Sequence, residues 1–263
     1  MKIVLTTMVI LCIPAVMAIT GRRGGNFHVP VLVAAGSKMH EAATTGQFIL
    51  VATALAALLI FPKHKTVDWK LALLINPPTG IMAFVGGYYA YAFSDIVLKL
   101  VFSGLLVLAS LLMLRPIKER SIQDRGRIGF LTRQYHNCKY TINLWLAIPV
   151  TAATGFAAGM VGVSGGSFKI PLMVLACGVS MPIVIGTSSA MVAAIALMGF
   201  LGHTVRGDLN PTWTIPPTVV AVAGGLLGAR FSIRTRAQKL KLTFAYTTLT
   251  AAVFMVANAI VLE

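Results

Sequence analysis

Two stretches, "GRRGGNFHVPVLV" (Gly21–Val33) and "GVSGGSFKIPLMV" (Gly162–Val174), share a leading Gly, a Gly-Gly pair, a Phe and a Pro at matching positions. Three more landmarks recur in the same order. "TTGQF" from Thr44 matches "GTSSA" from Gly186, "PPTGIMAFVGG" from Pro77 matches "PPTVVAVAGG" from Pro216, and "LKLVF" from Leu98 matches "LKLTF" from Leu240. Four landmarks in one order describe a duplication. The chain divides into a first repeat over 1–115, a basic connection over 116–140 and a second repeat over 141–263.

Around these motifs the chain is apolar. Of its 263 residues 57% are hydrophobic and 11% charged, with a mean hydropathy of +0.84. Water-soluble domains carry about a quarter charged residues. Apolar stretches recur at 3–20, 42–61, 71–93, 97–114, 141–161, 183–201, 214–229 and 242–262. A helix needs about 20 residues to cross a bilayer core, so the expected fold is an all-α polytopic membrane protein. The 3–20 stretch has the outline of a signal peptide. An apolar helix also precedes the second motif, so 3–20 is expected to be a genuine first helix.

The formal net charge of +15 does not point to nucleic acid, because the cations lie in connections between apolar stretches, where basic residues collect on the cytoplasmic side. Cys12, Cys138 and Cys177 are far apart, so neither a disulfide framework nor a zinc site is implied. No metal or cofactor is expected.

The short apolar pieces after each Gly-Gly, 29–36 and 168–177, decide the topology. If both are re-entrant there are eight crossings, and the loop Lys and Arg divide 12 to 9 between the two sides. If both cross, the halves are inverted, and 17 Lys and Arg fall on one side against four on the other (Lys2, Lys38, Lys99 and Arg206). The positive-inside rule selects the second arrangement and makes the long 115–140 loop cytoplasmic. Ten helical residues rise only about 15 Å, so each short helix needs an extended glycine-rich arm. Gly24, Gly25, Gly165 and Gly166 permit that arm, and Pro30 and Pro171 suit the first turn of the half-helix that follows. Broken helices at matching positions of two inverted halves mark the binding site of a secondary transporter.

The acidic residues Glu41, Asp68, Asp95, Glu119, Asp124, Asp208 and Glu263 all read as lying in loops or at a terminus, which disfavours a carboxylate proton relay. Lys169 is the ionisable residue inside the membrane, and His28 is its counterpart. An intramembrane charge is a functional hypothesis by default; the alternative is that Lys169 snorkels to an interface. Lys169 and two half-helix N-termini together describe an anion site. Ser167 and Asn26 flank the Gly-Gly pairs. Thr44, Thr45 and Gln47 in one half, with Thr187, Ser188 and Ser189 in the other, offer hydroxyls and an amide for sulfonate or carboxylate oxygens; Ser and Thr also pack transmembrane helices. "GVSGG" formally matches a serine-hydrolase motif with Ser164 as nucleophile and His203 as base. Ser164 aligns with Arg23, however, so the glycines recur and the serine does not. His203 reads as an interfacial histidine at a helix end, and Trp69, Trp145 and Trp213 as interfacial aromatics.

With its paired Gly-Gly…Pro motifs, "GTS" turn, "GHTVRGDLN" and "GGLLGAR" helix, the chain resembles the TauE/SafE family of membrane permeases, most strongly over 159–230. The resemblance implies bacterial inner-membrane transport of small sulfur-containing anions such as sulfite, sulfonates or sulfoacetate. It carries binding or structural roles to Gly165, Gly166, Lys169, Pro171, Thr187 and Ser188, and to Gly24, Gly25, Pro30 and Thr45. Arg22, Arg23, Asn26, Ser164 and Ser167 depart from the family pattern, and extra cations and hydroxyls there could retune the substrate. The expectation is a transporter, not an enzyme, exporting a small organic anion by alternating access, with an intramembrane serine hydrolase centred on Ser164 as the alternative. Its partners are the substrate anion and the lipid bilayer. The glycine-rich face "GGLLGA" (Gly224–Ala229) is compatible with a homodimer or with internal packing.

Overall fold

A computed structural model describes residues 27–58, 67–114, 129–135, 138–163, 165, 169–170, 172–173, 177, 179, 181–205, 211–234 and 237–261. The expected first helix at 3–20 lies outside these residues, as do Gly24, Gly25, Asn26, Ser164, Gly166, Ser167 and Pro171.

Eight helices and one hairpin are described: α1 (His28–Ala34), α2 (Met39–Leu58), α3 (Trp69–Tyr89), α4 (Asp95–Leu114), β1 (Phe130–Tyr135), β2 (Cys138–Asn143), α5 (Leu144–Val161), α6 (Met181–Thr204), α7 (Pro211–Arg234) and α8 (Ala237–Val261). The fold is all-α apart from the hairpin. Among the described residues four helices, α3 to α6, contain segments long and apolar enough to cross a membrane. Leu73, Val219 and Ile260 are at least two-thirds exposed, giving the bundle an apolar outer surface suited to lipid. Trp69 and Trp145 are exposed at the first turns of α3 and α5, as expected of interfacial aromatics.

Local chemistry sets the helix ends. The Asp68 side chain accepts from the backbone N–H groups of Lys70 and Leu71 and so caps α3, satisfying donors that have no partner inside the helix. Asn143 caps α5 by accepting from Leu146. Gly162 ends α5 with φ +75°, in the left-handed region that favours glycine. A Cβ there would lie 2.4 Å from the Ala43 Cα, so this glycine also lets α2 approach the end of α5.

The direction of each helix follows from its contacts. Asp68 at the start of α3 bonds Thr187 near the start of α6, and Gly87 near the end of α3 lies against Gly199 and His203. α3 and α6 are therefore parallel. α5 runs with them, Gly155 resting on Thr79 and Gly159 on Ala83. α2 runs against α6: Gln47 meets Gly199, and Leu50 and Ala54 cluster with Val192, Ala193 and Ala196. α4 runs against α8, with Ser110 donating to the Ala245 carbonyl at 2.7 Å while Phe102 and Leu106 cluster with Ala251 and Met255. In the duplication α2 corresponds to α6 and α4 to α8. Both counterpart pairs are antiparallel.

The buried core separates towards two ends. One cluster joins α1 to Met39, Ala90, Leu98, Val161 and Met255. The other joins Leu71, Tyr140, Ile142, Ala147, Met173, Val179, Ile183 and Ala245, and it carries the hairpin. The sequence reading assigned this region to a basic loop; the structure instead pairs Phe130–Tyr135 with Cys138–Asn143 in antiparallel register, Tyr135 opposite Cys138. Alternation explains the fit, because Tyr140 and Ile142 on one face are buried while Thr132 and Gln134 on the other are exposed.

Candidate functional site

Of the residues between α5 and α6, Lys169, Met173, Cys177 and Val179 are buried in the bundle. The Lys169 N–H bonds the Gly165 carbonyl at 3.2 Å, closing a helical turn, and the Lys169 side chain is 0% exposed. It does not snorkel. Its Nζ donates to Asn76 Oδ1 at 3.4 Å. Among the described residues no carboxylate lies within ion-pair distance of it. Asn76 lies eight residues into α3 from Asp68, about 12 Å along the helix at 1.5 Å per residue, and the contact is part-buried.

An ammonium has three donors and no acceptor. Among the described residues one weak bond to a neutral amide partners it. A buried cation without a counter-ion is costly, and an anionic ligand removes that cost.

Several of the hydroxyl and amide groups bond to the protein itself. Thr45 Oγ1 meets Thr214 Oγ1 of α7 at 3.1 Å, and Thr44 bonds back to the His40 carbonyl within its own helix. Gln47 is fully buried. Its Nε2 donates to the Ala158 carbonyl at 3.1 Å, and its Oε1 has no partner among the described residues. Thr187 accepts from the Asp68 N–H at 2.9 Å; Ser188 and Ser189 are buried beside it in sequence. Gly199, which touches Gln47, is about 18 Å along α6 from Thr187. The two clusters thus sit towards opposite ends of α6, each tying two helices together. His28 and Pro30 are buried on α1, in the core cluster at the end away from the hairpin.

His203, at the end of α6, is fully buried. Its Nε2 lies 2.9 Å from the Gly159 carbonyl, a partner supplied by the close approach of α5.

Two groups escaped the sequence reading. Asn76 is one. The other is Asp68, read as a loop acid yet 1% exposed. Besides capping α3, it accepts a hydrogen bond from the Tyr140 hydroxyl, and Arg133 Nη2 stands 4.0 Å from its Oδ1. Tyr135 donates to the Val67 carbonyl at 3.0 Å. Burial, and then the Asp68 charge, raise the Tyr135 hydroxyl above its ordinary range, which keeps it protonated and donating. The hairpin is therefore clasped onto the start of α3. Thr187→Val should cost about 1–2 kcal/mol, because the buried Asp68 N–H loses its acceptor; thermal unfolding of the purified variant measures it.

The comparisons with known proteins agree with this architecture. The chain is similar to a protein described as "Probable membrane transporter protein YunE" from Bacillus subtilis (strain 168), with 25% identity over 189 residues covering 70% of this chain and 69% of that one. It is also similar to a "Probable membrane transporter protein" of Xylella fastidiosa (strain Temecula1 / ATCC 700964), with 24% identity over 244 residues covering 91% and 89%. No solved structure matches it significantly. Residues 6–255 match the family described as Sulfite exporter TauE/SafE. That match spans nearly the whole sequence, and the chain belongs to this family of membrane transporters.

Proposed function

We propose that the protein exports a small sulfur-containing organic anion, sulfoacetate or a related sulfonate, or sulfite, across the inner membrane by alternating access, and that Lys169 is the group that binds it. The observation that carries this reading is the fully buried Lys169 ammonium, whose one partner among the described residues is a neutral amide at 3.4 Å. An ammonium in such surroundings favours an anion strongly, because the low dielectric that makes the lone charge costly also strengthens the pair.

The alternating-access part rests on two inverted halves, and the antiparallel course of α2 against α6 and of α4 against α8 supports it. The hairpin end is taken as cytoplasmic, since the basic 115–140 segment belongs to it. With the interior negative, outward movement of a monoanion gains about 2.3 kcal/mol per 100 mV. Export then needs no coupling ion. For the hydrolase alternative, the structure describes His203 turned to the Gly159 carbonyl, and the family and its relatives are transporters.

Detergent-purified protein titrated with sulfite, sulfoacetate, taurine, acetate and sulfate, by thermal shift and calorimetry, tests the reading. The wild type should show a saturable rise in Tm with a sulfonate or sulfite. Lys169→Gln should abolish the response while folding normally, because it removes the charge and keeps most of the side-chain volume. An unchanged ligand response in the variant would reject Lys169 as the anion-binding group.

A further inference from the structure

The duplication is broken in the polar direction at two places that touch. Lys169 stands where the first half has His28. Asn76, immediately before Pro77-Pro78, stands where the second half has Ile215 before Pro216-Pro217. Ile215 is 58% exposed on the outer surface of its helix, whereas Asn76 faces Lys169. Duplicated positions that diverge separately have no reason to meet, yet these two are in direct contact.

The surroundings of Asn76 suit a ligand. Pro77 and Pro78 carry no N–H, so the carbonyls of Leu73 and Leu74 lose their intrahelical donors and α3 is loosened at this level. The Asn76 Oδ1 accepts from Lys169. Its Nδ2 carries two N–H donors and has no hydrogen-bond partner among the described residues.

We infer that Asn76 is the second arm of the anion site and selects for oxyanions. This inference rests on the reading of Lys169 as the anion-binding group. On binding, the ammonium exchanges the amide oxygen for one oxygen of the ligand, and the amide Nδ2–H donates to a second oxygen on the same sulfur or carbon. A sulfite, sulfonate or carboxylate group spans both donors. A monatomic anion such as chloride engages only the ammonium, so Asn76 separates the two classes.

Three proteins test it by calorimetric titration and thermal shift in detergent, with sulfite, sulfoacetate and chloride as probes: wild type, Asn76→Asp and Asn76→Leu. Asn76→Asp is nearly isosteric and places a fixed carboxylate against the Lys169 ammonium. Its ligand-free Tm should rise and its oxyanion response should disappear, because the anion's place is filled from within the protein. Asn76→Leu removes the amide donors and keeps the lysine. It should lose about tenfold to a hundredfold in oxyanion affinity, the range expected for one hydrogen bond to a charged group, with its chloride response unchanged. Oxyanion affinity unchanged in both variants, or a lowered ligand-free Tm in Asn76→Asp, would overturn the role of Asn76. If Lys169→Gln abolishes binding while these variants leave it intact, only this inference fails. If Lys169→Gln itself retains binding, the reading beneath it fails as well.

Discussion

Replacing Gly159 by alanine is expected to destabilise the protein by about 3 kcal/mol, at the upper end of what overpacking costs. The reason is geometric. A Cβ at Gly159 would stand 2.1 Å from the Ala83 carbonyl oxygen, and one at Gly86 would stand 2.0 Å from the Phe156 carbonyl oxygen. These are backbone atoms, which cannot turn aside as a flexible side chain can. Gly155 meets Thr79 in the same way on one side of α3, and Gly202 meets Phe84 on the other. α3 is thus gripped by α5 and α6 backbone to backbone. In lipid no hydrophobic force drives helices together, so close packing of this kind supplies much of the association energy. Gly104→Ala on α4 is the control. Nothing lies within 4 Å of its would-be Cβ, so the substitution should be neutral or stabilising by up to about 1 kcal/mol, the helix-propensity difference. Thermal unfolding in detergent separates the two cases, and equal Tm values for both variants would contradict the close packing described here. The loss of the His203 bond to the Gly159 carbonyl, as α5 is pushed away, should accompany the Gly159 effect.

The helices were legible because hydropathy is a local property. The apolar stretch 97–114 became α4 and 141–161 became α5 with small shifts at the starts, which is the usual uncertainty of helix ends. The repeat was legible too, since shared glycines and prolines survive divergence. What the repeated threonines bind was not legible. Thr45 and Thr187 recur at matching positions, but their partners, Thr214 and the Asp68 N–H, lie 169 and 119 residues away in sequence. Ligand chemistry and helix tying look identical at the level of residue type. Asn76 was hidden by a narrower cause: the alignment of the halves begins at Pro77, one residue too late to expose the change from Ile215. The hairpin was hidden by charge. Arg133 and Lys139 in "FLTRQYHNCKYTIN" read as part of a basic loop, and the alternation of Tyr140 and Ile142 is too short to stand out against it. Asp68 was misread for the same reason, because hydropathy cannot show that a tyrosine 72 residues later descends onto a helix cap.

That cap leads to the second large effect. Asp68→Ala should cost about 3 kcal/mol: about 1 for the lost cap of α3 and about 2 for the charge-assisted bond from Tyr140, whose hydroxyl is left buried without this acceptor. The side chain is 1% exposed, so water cannot readily take its place. Asp68→Asn keeps one oxygen to cap Lys70 and Leu71, but it puts an NH2 donor where the second carboxylate oxygen accepted from Tyr140, so the hydroxyl must turn to accept from the amide, and the charge facing Arg133 is lost. Its cost should be about 2 kcal/mol, less than that of Asp68→Ala, because the charge-assisted Tyr140 bond becomes a neutral one and the pair with Arg133, 4.0 Å away and 20% exposed, is lost. The two variants also separate helix capping from hairpin attachment. In Asp68→Ala the strand pair loses its hold on α3, and tryptic cleavage at Arg133 and Lys139 should accelerate in the detergent-purified protein. In Asp68→Asn cleavage should stay slow. Tyr140→Phe removes the hairpin's half of the bond and leaves the cap intact, so it should speed cleavage with a smaller loss of Tm than Asp68→Ala. If all three variants are cleaved at the wild-type rate, the hairpin is held by its apolar contacts through Ile142 and the rest of its core cluster and not by the buried carboxylate. If cleavage follows the order Ala, then Phe, then Asn, one acid both starts α3, the helix that carries Asn76, and fastens the cover over that end of the bundle. The hairpin and the first turn of that helix then share one carboxylate.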